Sequence, residues 1–289
     1  MKVVVLMGGR SYEREISLKT GKAVSEALRK LGHDVYELDL SADLPCRLLE
    51  IKPDKVFIAL HGPYGEDGRV QGMLDIMGIP YTGSGVLASA LAMDKDITKR
   101  LLLSENIPTP RWICVRKGEL NFSWEEFPVV VKPADQGSSI GLKVARSSEE
   151  LEKAVKELFS MTDKVLIESF VEGRDMTVGI LKDRVLPPIE IVPRKGIYDY
   201  ESKYTKGASE YVFLEDEELS KKLQDLALKV HNLLGLKDMS RIDFRVTPEG
   251  EAFVLEVNTV PGMTELSLLP MACRKIGIGF EEMLSIIIS

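Results

Sequence analysis

The 289-residue chain has little of what many protein classes depend on. Cysteine occurs three times, at Cys46, Cys114 and Cys273, far apart and each in an apolar context. An odd, scattered set excludes a disulfide scaffold and a cysteine-based metal site, so all three read as reduced core thiols. Long hydrophobic runs are missing. Met1-Lys2-Val3-Val4-Val5-Leu6-Met7 turns at once into Gly8-Gly9, too short for a signal peptide or a span, so a cytoplasmic location without a membrane partner is expected. Basic blocks are missing too. With a net charge of -7 and Lys and Arg interleaved with Asp and Glu, nucleic acid is not an expected partner, although a local positive pocket for a nucleotide stays open. Low-complexity tracts and internal repeats are absent, which excludes disorder and solenoids. The Gly-x-x-x-x-Gly-Lys phosphate loop occurs nowhere, and the first glycine turn, Gly8-Gly9-Arg10-Ser11, is not Gly-x-Gly-x-x-Gly. That turn, with no acidic residue placed for a ribose, argues against a dinucleotide-dependent oxidoreductase. Four Asn and three Gln amid many Lys and Glu lean toward a thermophilic source.

What is present is an ordinary globular composition, 44% hydrophobic and 29% charged, long enough for two or three domains with cores. An apolar run over residues 2–7, a glycine turn and a helical pattern through Ile16, Ala23, Val24, Ala27, Leu28 and Leu31 read as strand, turn and helix. Val35 to Leu40 and Lys55 to Leu60 supply two more strands. Residues 1–93 are therefore expected to form an α/β, doubly wound parallel-sheet domain, with functional residues beyond the strand C-termini in Gly8 to Glu15 and His61 to Gly72. Residues 94–174 read as an α+β unit. It comprises a helix from Asp94, strands Arg111 to Val115, Phe127 to Lys132 and Leu142 to Ala145, a helix Ser148 to Phe159 and a strand Lys164 to Glu168. Residues 175–289 carry strands Met176 to Leu181 and Val185 to Val192, a polar loop from Pro193 to Ser209 long enough to be a lid, a helix Glu217 to Leu234, a hairpin and tail helices.

The hairpin runs from Arg241 to Asn258 around Pro248-Glu249-Gly250. Side chains alternate faces along a strand, so Arg241 and Asp243 share one face, Glu256 and Asn258 share one, and the turn sets Asp243 opposite Glu256. Ile242, Phe244, Leu255 and Val257 then point the other way. Two carboxylates, an amide and a guanidinium on one surface are either a solvated outer face or a magnesium site with an arginine suited to phosphate oxygens. Lys132 ends an apolar strand before Gly137-Ser138-Ser139-Ile140-Gly141. That loop is either an ordinary turn or one whose backbone N–H groups approach phosphate closely. Val165 to Glu168 runs into Glu172-Gly173-Arg174-Asp175, either a surface linker or a hinge for adenine, with Glu168 accepting the exocyclic amine and Asp175 a ribose hydroxyl.

His61-Gly62-Pro63-Tyr64-Gly65-Glu66-Asp67-Gly68-Arg69-Val70-Gln71-Gly72 resembles a signature of the D-alanine:D-alanine ligases. The chain is in register with that family from Gly8-Gly9-Arg10-Ser11-Tyr12-Glu13-Arg14-Glu15-Ile16-Ser17, through Tyr198 to Tyr204, to Asn258-Thr259-Val260-Pro261-Gly262-Met263-Thr264, so the resemblance covers essentially the whole chain. It implies an ATP-grasp fold with an N-terminal substrate domain. It also implies the reaction: one D-alanine carboxylate attacks the γ-phosphate of ATP, and the amine of a second D-alanine displaces phosphate from the acyl phosphate, for peptidoglycan precursor synthesis. By position, Asp243, Glu256 and Asn258 would hold two Mg2+ (Mn2+ being possible), with Glu256 bridging. Lys95 and Lys132 would bind phosphates under a loop containing Gly137, Ser138 and Ser139, while Glu168, Val171 and Asp175 meet adenine and ribose. The resemblance assigns Arg241 and the Gly262 N–H to the acyl phosphate and oxyanion. It assigns Glu13 to the first ammonium and, with Ser138 and Tyr204, to a triad that ties the long loop shut. The second carboxylate is expected at Lys203, Ser267 and the Leu268 N–H, with His61 close by.

Tyr204 accompanies an amine nucleophile in the family, whereas Phe accompanies D-lactate; the peptide is expected, and a D-alanine:D-lactate or D-serine ligase is the alternative. A homodimer is the family's usual form. Ser169 replaces the usual Lys, Asp175 the usual Glu, and Arg245 and Asp238 stand where apolar and small residues are common. The rival from another class is a catalytically silent ATP-binding protein, against which the intact Arg241, Asp243, Glu256 and Asn258 argue.

Overall fold

The computed structural model describes residues 1–119, 122–193, 208–264 and 267–289. Its first sheet is built on β1 (Lys2–Met7), whose Val3, Val4, Val5 and Leu6 are fully buried because both faces are covered. β1 lies between β2 (Asp34–Asp39) and β3 (Lys55–Ile58), all parallel, and Tyr81 bridges to Val56 at the far edge. The parallel α/β expectation holds. Helices α1 (Arg14–Lys30), α2 (Leu44–Ile51), α3 (Arg69–Met77) and α4 (Val86–Met93) follow the strands. The Ser17 hydroxyl of α1 accepts from the Gly8 N–H at 2.9 Å and donates to the Ala59 carbonyl at 2.7 Å. That pair of bonds ties together the ends of β1 and β3, where the glycine turn and the His61 loop leave the sheet.

α5 (Lys95–Ser104) starts at Asp94, which caps it by accepting from the Ile97 N–H at 3.2 Å. The second sheet is antiparallel, in the order β4 (Trp112–Arg116), β7 (Lys164–Ser169), β5 (Val129–Pro133), β6 (Lys143–Ala145). α6 (Ser148–Leu158) packs on it through Leu151, Ala154, Val155 and Leu158, the spacing of one helix face.

The third sheet runs β11 (Ser209–Phe213), β10 (Ile189–Pro193), β8 (Arg174–Leu181), β12 (Met239–Val246), β13 (Ala252–Asn258), with β9 (Arg184–Val185) on β8. α7 (Glu217–Leu234), capped by Asp216 at 3.0 Å from the Leu219 N–H, buries Leu223, Ala227 and Val230 against it.

Four expectations need correction. Val185 to Val192 is two strands, because Pro187 and Pro188 have no N–H for the ladder. Ser209–Phe213, unassigned between the expected loop and helix apart from Ser209 at the loop's end, is a strand paired with β10. The hairpin pairs Asp243 with Glu256 as expected but then shifts register, Phe244 facing Val254. Leu255 is thus the extra residue of a bulge and lines a cleft, while fully buried Val254 takes its place in the core. Finally, Cys46 is exposed, since α2 buries Leu44 and Leu48 on its opposite side, whereas Cys273 is buried.

α8 (Leu268–Lys275) and α9 (Phe280–Ile288) return to the first sheet. Leu269, Ala272, Met283, Leu284 and Ile287 share one core with Val3, Val5, Val24 and Leu28. Among the described residues no helix is long and apolar enough to cross a membrane.

Candidate active site

Glu13 precedes α1 and is buried, with its Oε1 accepting from the Ser138 hydroxyl. Two glycines from distant segments close on its other oxygen. A Cβ at Gly62 would lie 2.7 Å from Glu13 Oε2, and one at Gly137 2.8 Å from the same atom. Gly62 also has φ +74, so two requirements exclude a side chain there. The His61 loop is fixed from within: Ser11 Oγ donates to the His61 carbonyl at 2.7 Å, and Gln71 Nε2 donates to the Gly65 carbonyl at 2.7 Å.

His61 is buried, 3.0 Å from the Thr20 hydroxyl through Nε2. Burial, helped by the Arg241 charge and opposed by a hydrogen bond to the Val260 backbone, pushes its pKa down to about 4, so the imidazole is neutral at neutral pH. Glu66 accepts from the Gly62 N–H at 2.6 Å and the Val260 N–H at 3.3 Å, which links the His61 loop to the segment after β13. Burial first, then the Glu13 charge, pushes its pKa up to about 8 against those N–H groups and Arg241.

On β12, the Asp243 carboxylate accepts from Arg241 at 2.9 and 2.8 Å, from the Thr177 hydroxyl at 2.6 Å and from Asn258 Nδ2 at 3.2 Å. Directly opposite on β13, Glu256 is 3.5 Å from Lys95 Nζ, which also donates to the Gln136 carbonyl at 2.7 Å. The expected set of Arg241, Asp243, Glu256 and Asn258 is on one face. Among the described residues no group of three or more His, Cys, Asp or Glu is arranged to hold a metal ion. The candidate donors are two carboxylates and the Asn258 amide, a hard-oxygen set that fits magnesium.

A cleft between the second and third sheets is lined by Lys95, Lys132, Ser139, Glu168, Val171, Asp175, Asp243 and Glu256. A small hollow beside it is lined by Glu66, Lys95, Gly137, Glu256 and Asn258, so the N-terminal loops abut the carboxylate face. Lys132 Nζ lies 2.5 Å from Glu168, itself 3.0 Å from Lys99 Nζ. Ser267, just before α8, accepts from the Thr264 N–H at 3.1 Å, and a Cβ at Gly262 would lie 3.0 Å from its hydroxyl. Gly262, Ser267 and Leu268 are therefore neighbours. Lys203 and Tyr204 lie outside the described residues. Paired cations and carboxylates along one cleft, beside a buried carboxylate, can hold a polyphosphate and a small zwitterion together.

Residues 101–289 match the family model "D-ala D-ala ligase C-terminus", and residues 47–84 match "D-ala D-ala ligase N-terminus". The D-alanine--D-alanine ligase of Aquifex aeolicus (strain VF5) is 64% identical over 291 residues, covering 100% of both chains. The chain belongs to the D-alanine–D-alanine ligase family. A crystal structure of the D-alanine--D-alanine ligase from Bacillus anthracis complexed with ATP matches with a TM-score of 0.87 at 33% identity, over 100% of this chain and 96% of that one. The VanG D-Ala:D-Ser ligase from Enterococcus faecalis matches at 0.82 and 28% identity, over 100% and 98%.

Two residues of this ligase to which the resemblance gives no role, Arg245 and Asp238, have a structural account. Arg245 lies 2.7 Å from the Asp175 carboxylate and donates through Nε to the Val171 carbonyl at 3.0 Å, so it holds the shorter acid and the segment before β8 in place. Asp238, at φ +60, accepts from the Gly83 N–H at 2.8 Å and from Lys182 at 2.7 Å, joining the first sheet's last loop to the β8–β9 turn. Three residues escaped the sequence reading. Glu66 sits in the His61 to Gly72 motif, but its neutral state depends on burial, which the sequence does not show. Thr177 shares a strand face with Asp175 and becomes visible only once β8 is paired with β12. Lys99 lies one helical turn after Lys95, the only signal available for it.

The raised pKa of Glu66 sets a sign for stability. The fold favours its neutral form, so that contribution is complete below the ordinary carboxyl value near 4.5 and is lost as pH rises toward about 8. Glu66→Gln is expected to flatten the fall in stability between pH 5 and 8, by an amount on the order of a few kcal/mol. Thermal unfolding of both proteins across that range measures it, and parallel curves would contradict a neutral Glu66.

Proposed function

We infer that this ligase joins two D-alanine molecules at the expense of ATP, through D-alanyl phosphate, giving D-alanyl-D-alanine, ADP and phosphate. The observation that carries the reading is the Arg241–Asp243 pair facing Glu256 and Lys95, with Gly137, which packs on the buried Glu13, lining the hollow beside Glu256 and Asn258. ATP lies in the cleft, with adenine against Val171 and Glu168, ribose at Asp175, and phosphates at Lys95 and Lys132. Backbone N–H groups of Gly137 and Ser139 cover the phosphates. Asp243, Glu256 and Asn258 are the residues that would hold two Mg2+, for which Mn2+ can substitute. Bound there, the ions would neutralise the negative charge of the phosphates.

Glu13 receives the ammonium of the first D-alanine and leaves its carboxylate facing the γ-phosphate. Arg241 and the Gly262 N–H stabilise the negative charge that builds on the reacting carbonyl oxygen. Lys203, Ser267 and the Leu268 N–H take the second D-alanine's carboxylate, near the neutral His61. Ser138, on Glu13, and Tyr204 hold the long loop over the site and exclude water from the acyl phosphate. Residues 1–93, 94–174 and 175–289 act as substrate, central and metal-binding domains. The protein works in the cytoplasm as a homodimer, and the exposed Ile76 of α3 and Leu87 of α4 are apolar residues available to such an interface.

D-Alanine-dependent phosphate release from ATP tests the reaction, and release that is indifferent to D-alanine would sink it. A competition of D-alanine, D-serine and D-lactate as second substrate measures selectivity. Tyr204→Phe is expected to loosen the closed loop and raise ester formation relative to peptide. An unchanged product ratio would remove Tyr204 from the choice of nucleophile.

A further inference from the structure

Lys99, on α5, is 1% exposed and has no part in the reaction described above. A buried ammonium persists only among opposite charge and acceptors. Glu168 Oε2 is 3.0 Å from its Nζ, and the Thr109 hydroxyl at 2.7 Å and the Pro110 carbonyl at 3.0 Å accept from it. Thr109 is fixed in turn by donating to the Val254 carbonyl at 2.8 Å. On the other oxygen of the same carboxylate, Lys132 Nζ is 2.5 Å away. Lys132 and Glu168 line the nucleotide cleft, whereas Lys99 sits behind Glu168. One buried carboxylate is therefore shared by an interior lysine and a cleft-facing one.

We propose that Lys99 is a positioning residue that keeps Glu168 oriented and charge-compensated when Lys132 turns from it to the phosphates of ATP. The proposal rests on the reading that Lys132 binds phosphate and Glu168 faces adenine. With Lys132 as its only counter-charge, Glu168 would be stranded in a dry site whenever ATP drew that lysine away, and the cost would fall on nucleotide binding. Lys99 prevents this, because its acceptors hold it against Glu168 whether or not Lys132 moves. Burial lowers the Lys99 pKa to about 8, against the pull of Glu168, yet leaves it mostly charged at neutral pH. Glu168, despite its burial, is held below the ordinary carboxylate range by Lys132 and Lys99.

The test measures steady-state kinetics of the full chain with magnesium, ATP and D-alanine for Lys99→Met, Lys132→Met, Glu168→Gln and the Lys99→Met/Glu168→Gln double variant. Lys99→Met is expected to raise the KM for ATP by roughly tenfold or more. The KM for D-alanine, and kcat at saturating ATP, should stay within about threefold. The double variant recovers most of the loss, because Gln strands no charge and keeps an oxygen for the adenine amine. An unchanged KM for ATP in Lys99→Met overturns the proposal, and so does a double variant no better than Lys99→Met, the result of a mere packing role. If Lys99→Met does not fold, Glu168→Gln is compared with the double variant. Equal KM values for ATP support the coupling, and a further rise overturns it. If Lys132→Met leaves the KM for ATP unchanged, the phosphate reading itself has failed and the proposal falls with it.

Discussion

Asp243→Asn is expected to leave a folded protein whose D-alanine-dependent phosphate release is slower by about two to three orders of magnitude. The reason is the number of groups that converge on this carboxylate. Arg241 donates to both of its oxygens, at 2.9 and 2.8 Å, and Thr177 and Asn258 add bonds of 2.6 and 3.2 Å. Asparagine keeps the shape but turns one acceptor into a donor, which then faces the N–H groups of Arg241 and Asn258. The charge expected to hold magnesium is lost in the same substitution, and Arg241 loses the partner that orients it. Partial recovery at high magnesium would follow, since weaker metal affinity can be offset by concentration. Phosphate release measured across a magnesium titration is the check, and near-normal turnover at low magnesium would take Asp243 out of the metal site.

Gly173→Ala should have the largest effect on stability, a loss of about 3 kcal/mol or more with a higher KM for ATP. Gly173 has φ +148, and a Cβ built there would lie 2.0 Å from the Val246 carbonyl oxygen and 3.0 Å from the Thr247 Cα. Those atoms are backbone, so no side chain can swing aside. The next residue, Arg174, pairs with Val246 at the end of the β8–β12 ladder. A methyl group would therefore wedge open the two strands that carry Asp175 and Asp243. Denaturant unfolding and the KM for ATP measure the two consequences, and a variant as stable as the parent would show that the contact yields without cost.

Much of the fold was legible because its signals are local. The apolar run Val3 to Met7 of β1, the one-face spacing of α6 and α7 and the two-residue alternation of β12 and β13 each depend on neighbours within a few positions. Asp243 does oppose Glu256, but the register at the turn, with Val246 on Ala252, would by itself set Asp243 against Leu255, and it is the bulge at Leu255 that restores the pairing. Leu255 was misplaced because a bulge answers to the twist and packing of the whole sheet, and those involve β8 and α7 as well as the hairpin. Cys46 was misread for a similar reason, since apolar neighbours in sequence do not show which side of a short helix is covered.

The sequence by itself picked out the residues expected to carry chemistry, most of them through the family resemblance, and alternation along β12 and β13 showed which of those share a strand face. The resemblance implied that Glu13 meets Ser138, which it does across 125 positions, but only the tertiary structure decided that Glu66 is neutral between two loops and that Lys99 lies behind Glu168. Burial and the distance between charges belong to pairs of distant segments, and they set whether a given carboxylate or lysine is charged, held or free to move.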